Sequence, residues 1–244
     1  MSHGTDTTVR DSNRSNPPDS LRFWQTTPLR VILAVVTTIL LAIVLRVFVI
    51  HAYRIPSASM EPTLLIGDFL LAERLTFGST VELPWSNRTD IRLPVLRYPK
   101  RGEIVIFLGW DTNGMEYIKR CVGAAGDTIE MIDGRLLVNG VPFLLTSSRS
   151  PHDATHNSND AAKTLWWHHT DRLRNFGPHV VPTGSIFVMG DNRDNSDDSR
   201  VHGDVPFNAL RGRPLFIYWS VDRNAPWWNP LKRIRWERIG RRIR

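Results

Sequence analysis

Apolar residues run from Val31 to Leu45 with no charge and no helix breaker, and after Arg46 the apolar character resumes through Val47, Phe48, Val49 and Ile50. A helix that packs against a soluble core carries its apolar side chains on a 3.6-residue stripe, whereas here every face is apolar. Some twenty residues at about 1.5 Å each make roughly 30 Å of helix, the hydrocarbon thickness of a bilayer. Residues 30–50 are therefore expected to form a single transmembrane helix, with Arg46 near one end where its stem can reach the interface. Ile50-His51-Ala52-Tyr53-Arg54 lacks the small-x-small pattern of a cleavable leader, so the span is expected to stay attached. Arg10, Arg14, Arg22 and Arg30 precede it, and the positive-inside rule places them in the cytoplasm. Residues 1–29, rich in Ser, Thr, Asp, Asn and Pro, then read as a disordered cytoplasmic tail, and residues 51–244 as an extracytoplasmic domain.

Beyond residue 51 the pattern changes to short apolar runs between turn residues, with no long amphipathic helix. The runs 67–73, 102–108, 115–122, 128–132, 135–140, 184–190 and 213–219 have the length and punctuation of strands. Asp133-Gly134 and Asn139-Gly140 are hairpin-turn signals. A mostly β domain, barrel-like in architecture, is the expected fold. Residues from about 135 to 182 are expected to form a small inserted β or loop subdomain. Its later part is polar and carries Trp166-Trp167 and His152, His156, His168, His169 and His179. His152 and His156 have i, i+4 spacing, yet no Cys or acidic ligand completes a set, so no metal site is expected.

Composition narrows the picture. Across 244 residues the chain is 41% hydrophobic and 23% charged, ordinary values for a folded protein. The net charge of +7 suits an anionic partner. Much of the excess is local, in Lys232, Arg233, Arg235, Arg238, Arg241, Arg242 and Arg244. That basic tail, residues 230–244, interleaves cations with Trp227, Trp228 and Trp236, which fits either docking on anionic lipid or a solvated terminus. A charge so localised gives no stripe for nucleic acid. Cys121 is the one cysteine, which excludes an internal disulfide, and it reads as a small buried strand residue.

Three runs carry candidate chemistry. In Ile55-Pro56-Ser57-Ala58-Ser59-Met60-Glu61-Pro62-Thr63-Leu64, two serines lie just beyond the apolar span. In Tyr117-Ile118-Lys119-Arg120, strand alternation puts Lys119 on one face with Tyr117 and Cys121, and turns Arg120 away. A lysine amine, with an ordinary pKa of about 10.4, serves as a base near neutrality only if burial strips it of water. Otherwise Lys119 would reach solvent or pair with Asp111 or Glu116. The third run, Gly190-Asp191-Asn192-Arg193-Asp194-Asn195-Ser196-Asp197-Asp198-Ser199-Arg200, offers oxygen ligands from Asp191, Asp194, Asp197 and Asp198, but the EF-hand register is absent.

In this order the runs resemble the bacterial type I signal peptidases, or leader peptidases, serine proteases with a Ser-Lys dyad. The resemblance implies a membrane-anchored endopeptidase without cofactor, with Ser59 as nucleophile and neutral Lys119 as general base. It implies that Ser57 assists the oxyanion hole and that Ser196 hydrogen-bonds and orients the lysine amine. Asp198 and Arg200 would form a structural ion pair beneath the dyad, and Tyr117 and Phe107 would support the site. The expected substrates are preprotein signal peptides with small residues at −1 and −3. The expected location is the bacterial cytoplasmic membrane, single-pass, with the catalytic domain outside. Ala124-Ala125 departs from the family's usual proline before Gly126-Asp127. Two other readings stay open: a specialised Ser-Lys peptidase such as a conjugation-system pilin processing enzyme, and a non-catalytic, membrane-tethered basic binding protein.

Overall fold

The computed structural model describes residues 19–44, 46, 49–82, 90–111, 114–144, 173–223, 225–226 and 228–244. The chain divides into two units, residues 1–44 and 45–244. The first is the helix α1 (Asp19–Val44). It begins well inside the expected disordered tail and passes through Pro28, whose missing N–H removes one rung of the ladder. It ends before the expected boundary, since Ile50 already opens a strand. Val31, Leu33, Val36, Ile39, Leu40 and Ile43 are all exposed. Thr37 and Thr38 return their hydroxyls to the Leu33 and Ala34 carbonyls at 2.7–3.0 Å, so these polar atoms are satisfied within the helix. Among the described residues no helix is long and apolar enough to cross a membrane.

The second unit is mostly β, as expected. Its strands are β1 (Ile50–Arg54), β2 (Asp68–Glu73), β3 (Thr80–Glu82), β4 (Asp90–Arg92), β5 (Ile104–Leu108), β6 (Glu116–Gly123) and β7 (Thr128–Ile132). There follow β8 (Arg135–Val138), β9 (Val141–Pro142), β10 (Phe176–Val180), β11 (Ser185–Met189), β12 (Val205–Pro206) and β13 (Leu210–Ser220). Seven of them form one antiparallel sheet in the order β1-β2-β13-β5-β6-β11-β12. The barrel is thus an open one, with β1 and β12 as edges. Bulges along β13, between Pro214 and Phe216 and between Ile217 and Trp219, let this long strand bend from β2 across to β5.

Alternation explains why this sheet sits between two cores. Ile104 and Ile106 of β5 join Ile55, Met60, Leu64, Leu70 and Ile217 on one side. Val105 and Phe107 join Cys121, Ile186, Val188 and Leu210 on the other. Buried on both faces, β5 reads as a continuous apolar run.

A second sheet, β10-β7-β8-β9, packs Ile129, Met131, Leu136 and Val138 against Val122, Phe187 and Met189 of the first. It begins at Thr128, ahead of the expected start near residue 135, because the Asp133-Gly134 turn makes β7 the hairpin partner of β8. Asp133 and Gly134 have φ of 49° and 79°, and Asn139 and Gly140 have 55° and 75°, the paired positive values that two-residue hairpin turns require. His152, His156, His168, His169 and the Trp166-Trp167 pair lie outside the described residues.

The basic tail keeps Lys232, Arg241, Arg242 and Arg244 exposed, yet its backbone is not a free arm. After β13 the chain returns along it, with Arg235 N bonding Ser220 O at 3.1 Å, Gly240 N bonding Ile217 O at 2.7 Å and Ile243 N bonding Leu215 O at 2.9 Å. Arg238 is buried by this return, while Leu231 and Trp236 stay exposed. Trp236 meets Trp219 edge to face, with ring centroids 6.2 Å apart.

Candidate active site

The three singled-out runs converge on one cavity of about 810 Å³. Ser57, Ser59 and Met60 line it from the first run, Tyr117, Ile118 and Lys119 from β6, and Asp194 to Asp197 from the third. Tyr53 and Ile55 from the edge strand and its exit, and Leu173 ahead of β10, complete much of the wall.

Lys119 is 3% exposed. Across the β5–β6 ladder it faces Val105, itself fully buried, and alternation puts Tyr117 and Cys121 beside it. Burial drives its amine down from 10.5 to about 8, against the pull of Asp198 and Asp197, with Arg200 adding to the decrease. Glu116 does not pair with it but faces Arg211 at 4.0 Å. Cys121 is buried as expected, and desolvation pushes its thiol up to about 12, far from reactive.

The loop carrying Ser59 is pinned by the third run. Asn192 N donates to Ser59 O at 3.1 Å, and Asn192 Nδ2 donates to Ala58 O at 3.1 Å. Ser57 Oγ and Ser59 Oγ lie 3.4 Å apart. Gly190 fits beneath because it has no side chain: a Cβ there would collide with the Ser59 carbonyl and with the Ser196 side chain.

Asp198 and Arg200 form the expected buried pair. Arg200 Nε and Nη2 reach the two Asp198 oxygens at 2.9 Å each, and Arg200 also donates to the carbonyls of Arg193 and Leu173. Burial alone would raise the Asp198 carboxyl; the Arg200 fork and the Gly190 amide outweigh it and hold the group below its usual range. Ser196 is buried, but the expected bond to Lys119 is not formed. Its Oγ lies near enough to Asp198 to help lower that carboxyl, yet it has no partner at hydrogen-bonding geometry. The hydroxyl is wedged against Gly190 instead. Phe107 does not reach the cavity: it is fully buried behind Tyr117, with the rings stacked at 6.1 Å.

Sequence reasoning passed over a second buried pair. Arg120, turned away from Lys119 as expected, grips both oxygens of Asp191 at 2.6–2.7 Å. Asp191 also accepts the Thr63 hydroxyl at 2.5 Å, so its oxygens are committed and it is no cation ligand. A strand arginine next to the lysine was the available signal. No group of residues that could hold a metal occurs among the described residues.

The family model described as signal peptidase, peptidase S26, matches residues 29–219. The chain belongs to this family. It is a serine endopeptidase of the type I signal peptidase class. The chain is 31% identical over 211 residues to a protein named signal peptidase I of Rickettsia typhi, covering 78% of this chain and 79% of the relative. A protein of the same name from Leptolyngbya laminosa is 31% identical over 193 residues, 76% of this chain and 77% of the relative. A crystal structure of a signal peptidase I from Enterococcus faecalis is similar at 28% identity, with a TM-score of 0.37, covering 48% of this chain and 97% of that one. The matched region of the signal peptidase model takes in Ser59, Lys119 and the whole 190–200 run.

Proposed function

We propose that this signal peptidase removes signal peptides from secreted preproteins, with Ser59 as nucleophile and Lys119 as general base. The observation that carries the reading is a lysine 3% exposed, its amine lowered to about 8, lining the same cavity as Ser59. At neutral pH an appreciable fraction of such an amine is uncharged and able to take a proton.

The Ser59 hydroxyl attacks the scissile carbonyl while Lys119 Nζ accepts its proton. The oxyanion so formed is stabilised by the Ser59 N–H and the Ser57 hydroxyl, and Ser57 lies suitably close to Ser59 for that task. As the tetrahedral species collapses, the C–N bond breaks and the Lys119 ammonium gives its proton to the departing amine of the mature protein. Water then attacks the acyl-enzyme, Lys119 takes its proton, and the signal peptide leaves with a new carboxylate as Ser59 regains its hydrogen. Ser196, whose buried hydroxyl lacks a partner, would have to turn from Gly190 to the amine to orient it, a part that the carboxylate plays for histidine in other serine proteases. Asp198 and Arg200 hold the third run rigid beneath it, and Tyr117, backed by Phe107, keeps the strand face dry.

The apolar part of α1, from Val31 to Val44, anchors the enzyme in the bacterial cytoplasmic membrane with the N-terminus inside. The exposed apolar side chains of α1 and its internally satisfied threonines support this. Ser59 then works close to the lipid surface, where a cleavage site with small residues at −1 and −3 emerges, and the basic, Trp-bearing C-terminal segment faces anionic lipid. Incubating the detergent-solubilised enzyme with a preprotein and sequencing the new N-terminus tests the reading. Cleavage after a small residue, lost in both Ser59→Ala and Lys119→Arg, is expected; undiminished cleavage by either variant rules the dyad out.

A further inference from the structure

Two buried ion pairs meet at Thr63. Its hydroxyl donates to Asp191, the carboxylate held by Arg120 next to Lys119. Its carbonyl accepts from Arg238 Nη2 at 3.0 Å. The same guanidinium forks onto Asp68, with Nε 3.0 Å from Oδ1 and Nη2 2.5 Å from Oδ2. Asp68 is fully buried and also accepts the Ser220 hydroxyl at 2.6 Å and the Leu65 amide at 2.8 Å.

The loop between β1 and β2, which carries Ser57 and Ser59, closes on itself through Ile55 N to Asp68 O at 2.9 Å and Gly67 N to Ile55 O at 3.1 Å. Within it, the Leu64 amide bonds the Met60 carbonyl at 2.9 Å, so Thr63 lies in the turn that starts beside Ser59. Arg238 therefore grips the far end of that turn, and Asn192 grips the near end through the Ser59 carbonyl. The Arg238 backbone is itself fixed, with Arg238 N bonding Arg235 O at 3.0 Å and Gly240, two residues on, donating to the Ile217 carbonyl of β13. A guanidinium fork of this kind sets both distance and plane, which a lysine ammonium does not. Removing one partner of a buried ion pair leaves the other charge unpaired in the interior, so a variant that keeps a cation at this position is the one that separates geometry from stability.

We propose that Arg238 is a positioning residue for the reaction: through Thr63 and Asp68 it sets where Ser59 stands relative to Lys119. This rests on the dyad reading given above. A shift of about 1 Å in a reacting atom can reduce turnover by roughly 100-fold, so the effect belongs in kcat rather than in substrate affinity.

Arg238→Lys keeps the charge and loses the fork; Arg238→Met removes both. Each is assayed for kcat and KM on a signal-peptide substrate, and for amide hydrogen exchange. Expected are a roughly 10- to 100-fold fall in kcat with KM within about twofold, and faster exchange confined to the 58–68 loop, with the β7–β8 hairpin unchanged. Unchanged kcat and loop exchange overturn the proposal, as does faster exchange spread over the whole domain with kcat per folded molecule preserved. If neither variant folds, Ser220→Ala, which removes one bond to Asp68 and leaves the ion pair, is expected to show the same split at roughly 2- to 5-fold; no change there overturns the proposal equally. Full cleavage by Ser59→Ala would defeat the dyad reading, whereas full cleavage by Arg238→Met beside an inactive Ser59→Ala defeats this inference alone.

Discussion

Asn192 holds Ser59 from behind: its amide donates to the Ser59 carbonyl at 3.1 Å, and its side chain takes the preceding carbonyl of Ala58. Segments more than a hundred residues apart in sequence are thereby locked in register, leaving the Ser59 side chain to face the cavity. Gly190 makes the approach possible by contributing no side chain. Gly190→Ala must push either the Ser59 loop or Ser196 away. Cleavage rate is expected to fall by at least tenfold, against a stability loss of only about 1–3 kcal/mol for the extra methyl. Parallel measurement of kcat and of thermal unfolding checks this; wild-type kcat would contradict it.

On the proposed dyad, the pH dependence of cleavage follows from Lys119. Its amine must be neutral to act, so kcat/KM is expected to rise with pH along an acid limb near 8. Asp197 favours the charged amine. Asp197→Asn is therefore expected to move the limb to lower pH. A limb that stays in place, or moves upward, contradicts the electrostatic assignment.

Stability carries the same signature with a sign that can be checked. Because the folded-state pKa lies below the unfolded one, the folded protein binds fewer protons between about pH 8 and 10.5, and its stability rises with pH there. Below pH 8 the amine is charged in both states and the full penalty applies, on the order of 3 kcal/mol. Lys119→Met is expected to be more stable than the parent at pH 7, with the advantage fading as the pH climbs through that window. Denaturant unfolding at pH 7 and pH 10 tests this.

Removing Arg200 would leave Asp198 buried without its guanidinium partner. Arg200→Ala is expected to cost about 3–5 kcal/mol, visible as a large drop in thermal midpoint, with activity lost in proportion to the unfolded fraction. A midpoint within a few degrees of the parent would mean that the pair is dispensable.

Much of the strand pattern was legible, because each run is short, apolar and closed by turn residues. Thr128–Ile132 is recovered to the residue, and the Asp-Gly and Asn-Gly turns fall where their positive φ values are needed. The burial of Lys119 was legible from alternation, since Tyr117 and Cys121 flank it on one face and a buried strand supplies Val105 opposite. What could not be read was pairing across long separations. Arg120 on a strand beside Lys119 hinted at a buried partner without naming it, nothing local in Asp68 or Arg238 did even that, and a run of arginines near the end of a chain looks like solvated charge until β13 is seen to receive it. Short strands such as Val205–Pro206 and Val141–Pro142 escaped for a related reason: with only two residues each, their pairing comes from the neighbours they meet.

Ser59, Lys119, Ser196 and the Asp68–Arg238 clasp come from opposite reaches of the chain, and none makes its contacts with sequence neighbours alone. Long-range closures of this kind form late in folding. A partly emerged domain would therefore hold a serine with no base beside it and a lysine still bathed in water. On the proposed dyad such a chain stays inert until its distant segments have met, with the connectivity itself acting as a safety catch.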